Sequence, residues 1–254
     1  MEEKMYGYWL PKDISIHGGP IDALINWLHV FMVLLFVGWG VFFIYCLIRY
    51  RKGASPTASY HHIKAKKSKY VEIGVVIIEA ILLVGISIPL WAEWKHDFPA
   101  ESEAVTVHLM AEQFAWNIQY SGEDGLFGGL RPEFVTSDNL LGLDPDDEAG
   151  KDDFNAINQL HIPVNTPVIL KLTSKDVIHS FKVPVMRVTQ DIIPGSEIRI
   201  WFQATRIGTY DIACAQLCGL GHYRMRGQLT VESEADYEAW LASMAPSQED
   251  EFSF

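Results

Sequence analysis

The sequence predicts two N-terminal membrane-spanning helices followed by an exported all-β domain, a sandwich or small barrel, closed by a short helix. Three observations carry that prediction. Two long apolar runs fall early in the chain, a cationic segment separates them, and short β-branched and aromatic runs broken by Gly, Pro and Asp occupy the rest. The overall figures conceal this division: 254 residues, 49% hydrophobic, 20% charged, net charge −12. Residues 97–254 carry 25 Asp/Glu against 10 Lys/Arg, whereas residues 49–69 carry seven Lys/Arg and no acid. That distribution argues against nucleic acid as a partner and for a lipid-embedded protein with two differently charged sides.

The first span is expected at about 25–48, INWLHVFMVLLFVGWGVFFIYCLI, where His29 is the only titratable side chain that ionises near neutral pH. A bilayer core about 30 Å thick needs roughly 20 apolar residues at 1.5 Å each, so this run is long enough to cross. Trp27 and Trp39 lie toward its ends, and Arg49, Arg51 and Lys52 stop it. A buried helix of a soluble protein rarely needs apolar residues on every face, and a cleavable leader has a shorter core. The second span is expected at about 71–91, VEIGVVIIEAILLVGISIPLW. Glu72 and Glu79 stand seven apart on it and share one face. Carboxylates are costly against lipid, so that face should meet protein or water. Glu72 alone could equally sit at the headgroup boundary.

The cationic loop between the spans should stay in the cytoplasm. Both termini and the acidic domain then lie on the outer side, the periplasm of a bacterium, in an oxidising compartment. Residues 1–96 read as the anchor and 97–254 as the exported domain. Strands are expected at 105–109, 168–173, 197–203, 209–213 and 227–231. In the third of these, Ile198, Ile200 and Phe202 alternate with polar residues. A final helix is expected at 234–243, with Ser233 and Asp236 as a capping box and Tyr237, Trp240, Leu241 and Met244 as its apolar face. The run 144–153, with six acids and one lysine, reads as a solvated loop, and docking of a cationic partner is the sharper alternative.

One stretch concentrates metal-binding chemistry: CAQLCGLGHYRM, residues 214–225. A disulfide across so short a gap constrains the unfolded chain little and leaves His222 and Met225 unexplained. Methionine is a poor zinc ligand. A mononuclear copper site needs one Cys, two His and a weak Met, which leaves Cys214 over. Two thiolates with two imidazoles suit two copper ions bridged by both sulfurs, each with a terminal His and a weak axial ligand. Soft thiolates favour Cu(I), and imidazole tolerates both oxidation states. His179 is the best candidate for the upstream imidazole. His161, His108 and the His61–His62 pair are rivals, the last excluded by its cytoplasmic position. Cys46 reads as a small apolar residue inside the first span.

These residues match a known pattern. DVIHSFKVP, with CAQLCGLGHYRM beginning 35 residues after its histidine, resembles the signature for the dinuclear CuA centre in subunit II of the haem–copper cytochrome c oxidases. AEQFAWNIQY (111–120) and IPG (193–195) are also similar to segments of that family. The resemblance covers nearly the whole chain. It implies a cupredoxin-like Greek-key sandwich after two spans, with Cys214 and Cys218 as bridging thiolates and His179 and His222 as terminal imidazoles. Met225 becomes the axial thioether, and Gln216 the other axial ligand through its main-chain carbonyl. The implied function is electron input to a terminal oxidase: CuA takes electrons from cytochrome c or a haem domain and passes them to haem in subunit I. There O₂ is reduced and protons are pumped.

The chain departs from the family pattern at three places. Gln216 replaces a common glutamate that helps hold Mg²⁺ at the boundary with subunit I, and an amide is a weaker ligand for a hard cation. Magnesium is therefore not expected there in the usual way. Phe114 stands where the family often has the tryptophan through which electrons enter, while Trp116 matches a second tryptophan; strand packing is the competing reading for Trp116. Glu72 matches the carboxylate at the mouth of a proton pathway, while Glu79 falls where many relatives have proline. No haem motif is present, so haems belong to the partner subunit. A copper chaperone is the main alternative, but two spans and Met225 argue against it. A quinol oxidase subunit lacks these ligands, and nitrous oxide reductase needs a large additional domain.

Overall fold

The computed structural model describes residues 10–54, 60, 66–122 and 124–244. The His61–His62 pair lies outside them. The chain forms two units: Pro20–His96, and a second one made of the polypeptide before Pro20 together with that after His96.

The first unit is the helical hairpin. Helix α1, Gly18–Arg49, starts before the expected residue 25. Ser15 Oγ accepts from the Gly18 N–H at 3.0 Å, and Pro20 is tolerated within the first turn, where a missing N–H costs nothing. The second rod comprises α2 (Lys66–Ala80), a π-helical stretch (Ile81–Ser87) and α3 (Ile88–His96). Pro89 gives the irregular stretch a physical reason. Its ring would strike the carbonyl four residues back, at Gly85, and the wider turn relieves that contact. Both rods are long and apolar enough to cross a bilayer, and their large side chains, such as Leu34, Phe36, Val76 and Leu83, are exposed.

The second unit packs two five-stranded sheets face to face. The first has the order β3-β2-β1-β5-β8 and the second β4-β10-β9-β6-β7. The strands are β1 (Val105–Glu112), β2 (Ala115–Tyr120), β3 (Phe154–Ile157), β4 (Gln159–Pro163) and β5 (Pro167–Ser174). They continue as β6 (His179–Val183), β7 (Val188–Ile192), β8 (Ile198–Gln203), β9 (Gly208–Cys214) and β10 (Arg226–Glu232). Pairings are antiparallel except β1 with β5 and β4 with β10. The alternation read in β8 is present: Ile200 and Phe202 are buried while Arg199 points outward. Opposing residues such as Leu109, Ile118 and Leu170 meet Leu160, Phe181, Ile212 and Leu229 in one core.

Asn158 alone joins β3 to β4 and carries the chain from one sheet to the other, at φ 60°. Asparagine tolerates this left-handed conformation. Its N–H donates to the Trp116 carbonyl at 2.7 Å, and its Oδ1 accepts from the Trp116 N–H at 2.9 Å. The corner therefore fixes Trp116 beside β10.

Two segments differ from the sequence expectation. The chain ahead of α1, read as part of the anchor, packs on the β unit. Ile14 is buried in the core, its N–H donates to the Val185 carbonyl at 3.0 Å, and Ser15 bridges Ala204. The acidic run is not simply solvated. Asp153 is buried and accepts from the Gln119 amide at 2.6 Å and the Gly128 N–H at 2.8 Å, while Asp147 accepts from the Gly129 N–H and Asp144 pairs with Arg131. A long connection with little regular structure leaves backbone donors to satisfy, and these carboxylates supply the acceptors. Burial pushes the Asp153 carboxyl above its usual range.

Helix α4, Glu234–Met244, has the expected capping box, with Ser233 Oγ accepting from the Asp236 N–H at 3.2 Å. Tyr237 is buried and Trp240 stacks on His161 at 4.0 Å, but Met244 lies exposed beyond the contact.

His17, edge-on to Trp201, is buried, and that burial pulls its imidazole from 6.5 down to about 4. Between those values the unfolded chain binds the proton and the folded one does not, so stability present above pH 6.5 is lost as pH falls toward 4. The loss amounts to on the order of 3 kcal/mol. The apparent melting temperature of the full chain should fall from pH 7 to pH 4.5, and His17→Phe should flatten that slope; an unchanged slope would refute the assignment.

Candidate metal centre

The centre sits where β6, β9 and the loop between β9 and β10 converge. Three strand positions set it. His179 opens β6, Cys214 ends β9, and Met225 immediately precedes β10. The Cys214 N–H donates to the Met225 carbonyl at 3.2 Å, and the Ala215 N–H to the Ser180 carbonyl at 2.9 Å. These bonds carry the sheet ladder up to the loop and register the ligands against one another. Glycine is required within the loop: Gly219 has φ 138°, and a β-carbon at Gly221 would overlap the Phe114 ring.

All six sequence-predicted ligands come together. The two free thiols lie 3.8 Å apart. His179 Nδ1 faces Cys214 Sγ at 3.9 Å, and His222 Nδ1 faces Cys218 Sγ at 3.6 Å. Met225 Sδ lies 3.7 Å from Cys218 Sγ, and the Gln216 carbonyl 3.2 Å from Cys214 Sγ. Among the described residues, His179, Cys214 and Cys218 place their ligand atoms within 4.8 Å of one another. The rival histidines go elsewhere: His108 stacks on Phe127, and His161 lies under α4 beside Glu232.

The donor set fits copper. A metal–thiolate bond of about 2.3 Å lets two sulfurs share an ion at this separation. Burial first, and then Cys214, push the Cys218 thiol up to about 11. Two thiolates so close therefore call for cationic charge between them. Two soft sulfurs, two imidazoles, a thioether and a carbonyl form a copper set rather than one for a hard cation.

Asp176 is a residue that sequence reasoning passed over. Its Oδ1 accepts from His179 Nε2 at 2.9 Å, which turns the Nδ1 edge of the ring toward the thiols. Burial alone would raise the Asp176 carboxyl, but hydrogen bonds from His179 and the Gln113 and Val177 N–H groups outweigh it and hold the carboxyl below its ordinary value. The available signal was position: a carboxylate three residues before a metal-binding histidine, placed to orient it.

The profile of cytochrome c oxidase subunit II, periplasmic domain, matches residues 105–233, just over half of the chain. The chain belongs to the cytochrome c oxidase subunit II family. It is 33% identical to the alternative cytochrome c oxidase subunit 2 of Bradyrhizobium diazoefficiens, over 92% of this chain and 83% of the relative. It is 29% identical to cytochrome c oxidase subunit 2 of Cereibacter sphaeroides, over 87% of this chain and 76% of that one. Among solved structures, the periplasmic domain of subunit II of cytochrome oxidase from Bradyrhizobium japonicum is 26% identical. That match covers 59% of this chain and 96% of the other, with a TM-score of 0.41. The β unit has the family's cupredoxin-like fold, and the apolar hairpin makes this a membrane-anchored subunit of an oxidase.

The remaining predicted residues fall in distinct places. Phe114 is half-buried and packs its ring on the loop glycines Gly219 and Gly221. Trp116 is fully buried, edge-on to His179 at 6.3 Å and to Phe181 at 6.1 Å, with no surface for a docked protein to touch. Glu72 lies near the start of α2 and accepts from Ser68 Oγ at 2.8 Å. Glu79 lines a groove in the hairpin with Leu24, Leu28, Phe31 and Leu35.

Proposed function

We propose that this subunit is the electron-input module of a terminal haem–copper oxidase, through a dinuclear copper centre held by Cys214, Cys218, His179, His222, Met225 and the Gln216 carbonyl. The observation that carries the reading is the pair of thiols 3.8 Å apart, each flanked by an imidazole Nδ1. Bound there, copper supplies a one-electron carrier shared between two ions. The protein's part is to hold the ligands. Cys214 ends β9, Cys218 lies on the loop that follows, and hydrogen bonds tie that region to β6 and to Met225 ahead of β10. Asp176 fixes the His179 ring, so the ligand positions are set before the metal arrives. A preset site changes little between oxidation states, which keeps electron transfer fast.

Electrons then pass to haem in subunit I, where O₂ reduction is coupled to proton translocation. The donor is cytochrome c or a neighbouring haem domain. The β unit faces the periplasm, opposite the cationic loop. Phe114, which reaches the surface beside the loop, is the better placed aromatic to meet a donor, and Trp116 supports the His179 ring from behind. Glu72 serves proton uptake at the membrane boundary. No Mg²⁺ is held through Gln216 in the manner of a carboxylate.

Metal analysis with electron paramagnetic resonance on the purified full chain tests the reading. Two coppers per chain with a seven-line hyperfine pattern, the count for one electron shared by two equivalent copper nuclei, is the expected result. One copper with four lines would sink the dinuclear assignment. An acidic domain steers a basic cytochrome by long-range attraction. The rate of cytochrome c oxidation by the assembled oxidase should therefore fall steeply with ionic strength, and a flat response would favour a haem domain already docked in the complex.

A further inference from the structure

The turn between β1 and β2 lies outside the ligand set, yet it touches the centre from two sides through one residue. The main-chain N–H of Gln113 donates to Asp176 Oδ2 at 2.7 Å, while Asp176 Oδ1 accepts from His179 Nε2 at 2.9 Å and from the Val177 N–H at 2.7 Å. The side-chain amide of Gln113 donates to the Cys218 carbonyl at 2.7 Å. One residue thus grips a terminal imidazole, through a carboxylate, and the peptide of a bridging cysteine.

The turn itself is anchored without help from that side chain. The Lys175 N–H donates to the Ala111 carbonyl at 3.0 Å, and Lys175 Nζ pairs with Glu112 at 2.7 Å. Behind Gln113, the Phe114 ring lies against Gly219 and Gly221, on either side of the exposed Leu220. The post is therefore fixed to the sheet, and the cysteine loop leans on it. His179 and Cys218 come from segments far apart in sequence, on β6 and on the β9–β10 loop. Without a common support, their separation would vary as the loop moved.

We infer that Gln113 is a positioning residue for the metal centre, a clamp that fixes the Cys218 side of the loop relative to the Asp176–His179 pair. The inference rests on the copper-centre reading, and it assigns Gln113, an exposed residue, the role of joining two parts of the centre. The donated amide hydrogen carries that role. Gln113→Ala removes it together with side-chain volume. Gln113→Glu keeps the shape and replaces the donor with an acceptor facing a carbonyl.

The experiment uses the full chain in detergent, with and without copper. In the metal-free protein, amide hydrogen exchange across residues 214–225 should quicken roughly three- to tenfold in both variants, the effect of losing one hydrogen bond. In the copper-loaded protein, copper release to a chelator should quicken by a similar factor, and the hyperfine pattern should broaden or split while copper content per chain stays that of the unmodified protein. A Gln113→Glu variant that matches the unmodified chain in exchange and release would overturn the clamp, whatever the copper content. If the unmodified chain holds no copper pair, the copper reading fails separately, and the metal-free exchange data still decide whether Gln113 holds the loop.

Discussion

Replacing Cys214 with serine should leave one copper where two are held and change the resonance from seven hyperfine lines to four. Cys214 is half-buried at the end of β9, and serine is close to it in size, so the strand and the bond from its N–H to the Met225 carbonyl should persist. What changes is the donor. A hydroxyl is hard and stays protonated where a thiolate forms, and it does not bridge two soft ions. Cys218, His222 and Met225 still surround one position, so a single copper remains. Donor oxidation by the assembled oxidase should fall by about a hundredfold, a barrier increase of about 3 kcal/mol. A variant that keeps two coppers and seven lines would show that Cys214 is not a bridge.

Asp176→Ala should weaken copper binding by about ten- to a hundredfold, the usual cost of losing the group that orients a metal-bound histidine. The His179 ring is fully buried, and its Nε2 donates to Asp176. Without that acceptor the proton no longer has a reason to stay on Nε2, and the ring becomes a poorer ligand through Nδ1. Asp176→Asn should fall between, because the amide oxygen can still accept from His179 while its NH₂ group meets the Gln113 N–H, a donor against a donor. Competition against a chelator of known affinity measures all three proteins. Equal affinities would mean that packing against Trp116 alone orients the ring.

The parts of the molecule legible in the sequence are those governed by local pattern. Apolar length marked both spans, alternation marked β8, and Ser233 with Asp236 marked the start of α4. The proposed copper ligands could be picked out because four lie within a dozen residues and the fifth side chain, His179, sits in a motif of its own. The hidden features depend on distant contacts. Nothing local in Ile14 says that it belongs to a core formed by residues beyond 100, and a run of carboxylates looks the same whether it faces water or closes a loop. Gln113 is the clearest case. Its neighbours in sequence are aromatic or charged, and its significance appears only when Asp176 and Cys218 are brought beside it.

The stitch between the N-terminal segment and the β unit bears on how the protein is made and studied. Ser15 Oγ reaches the Met186 carbonyl across 171 residues, and Thr205 reaches Ile14 across 191. Such closure waits for nearly the whole chain, which makes it a late event in folding. The ribosome delivers the N-terminal piece first, so it must wait, unpaired with its partners in the sheet, until β8 arrives. A soluble fragment that starts at residue 97 is missing part of its own interior. The slot that Ile14 fills would stand open between Val185 and Thr205, an apolar seam that the intact subunit never exposes.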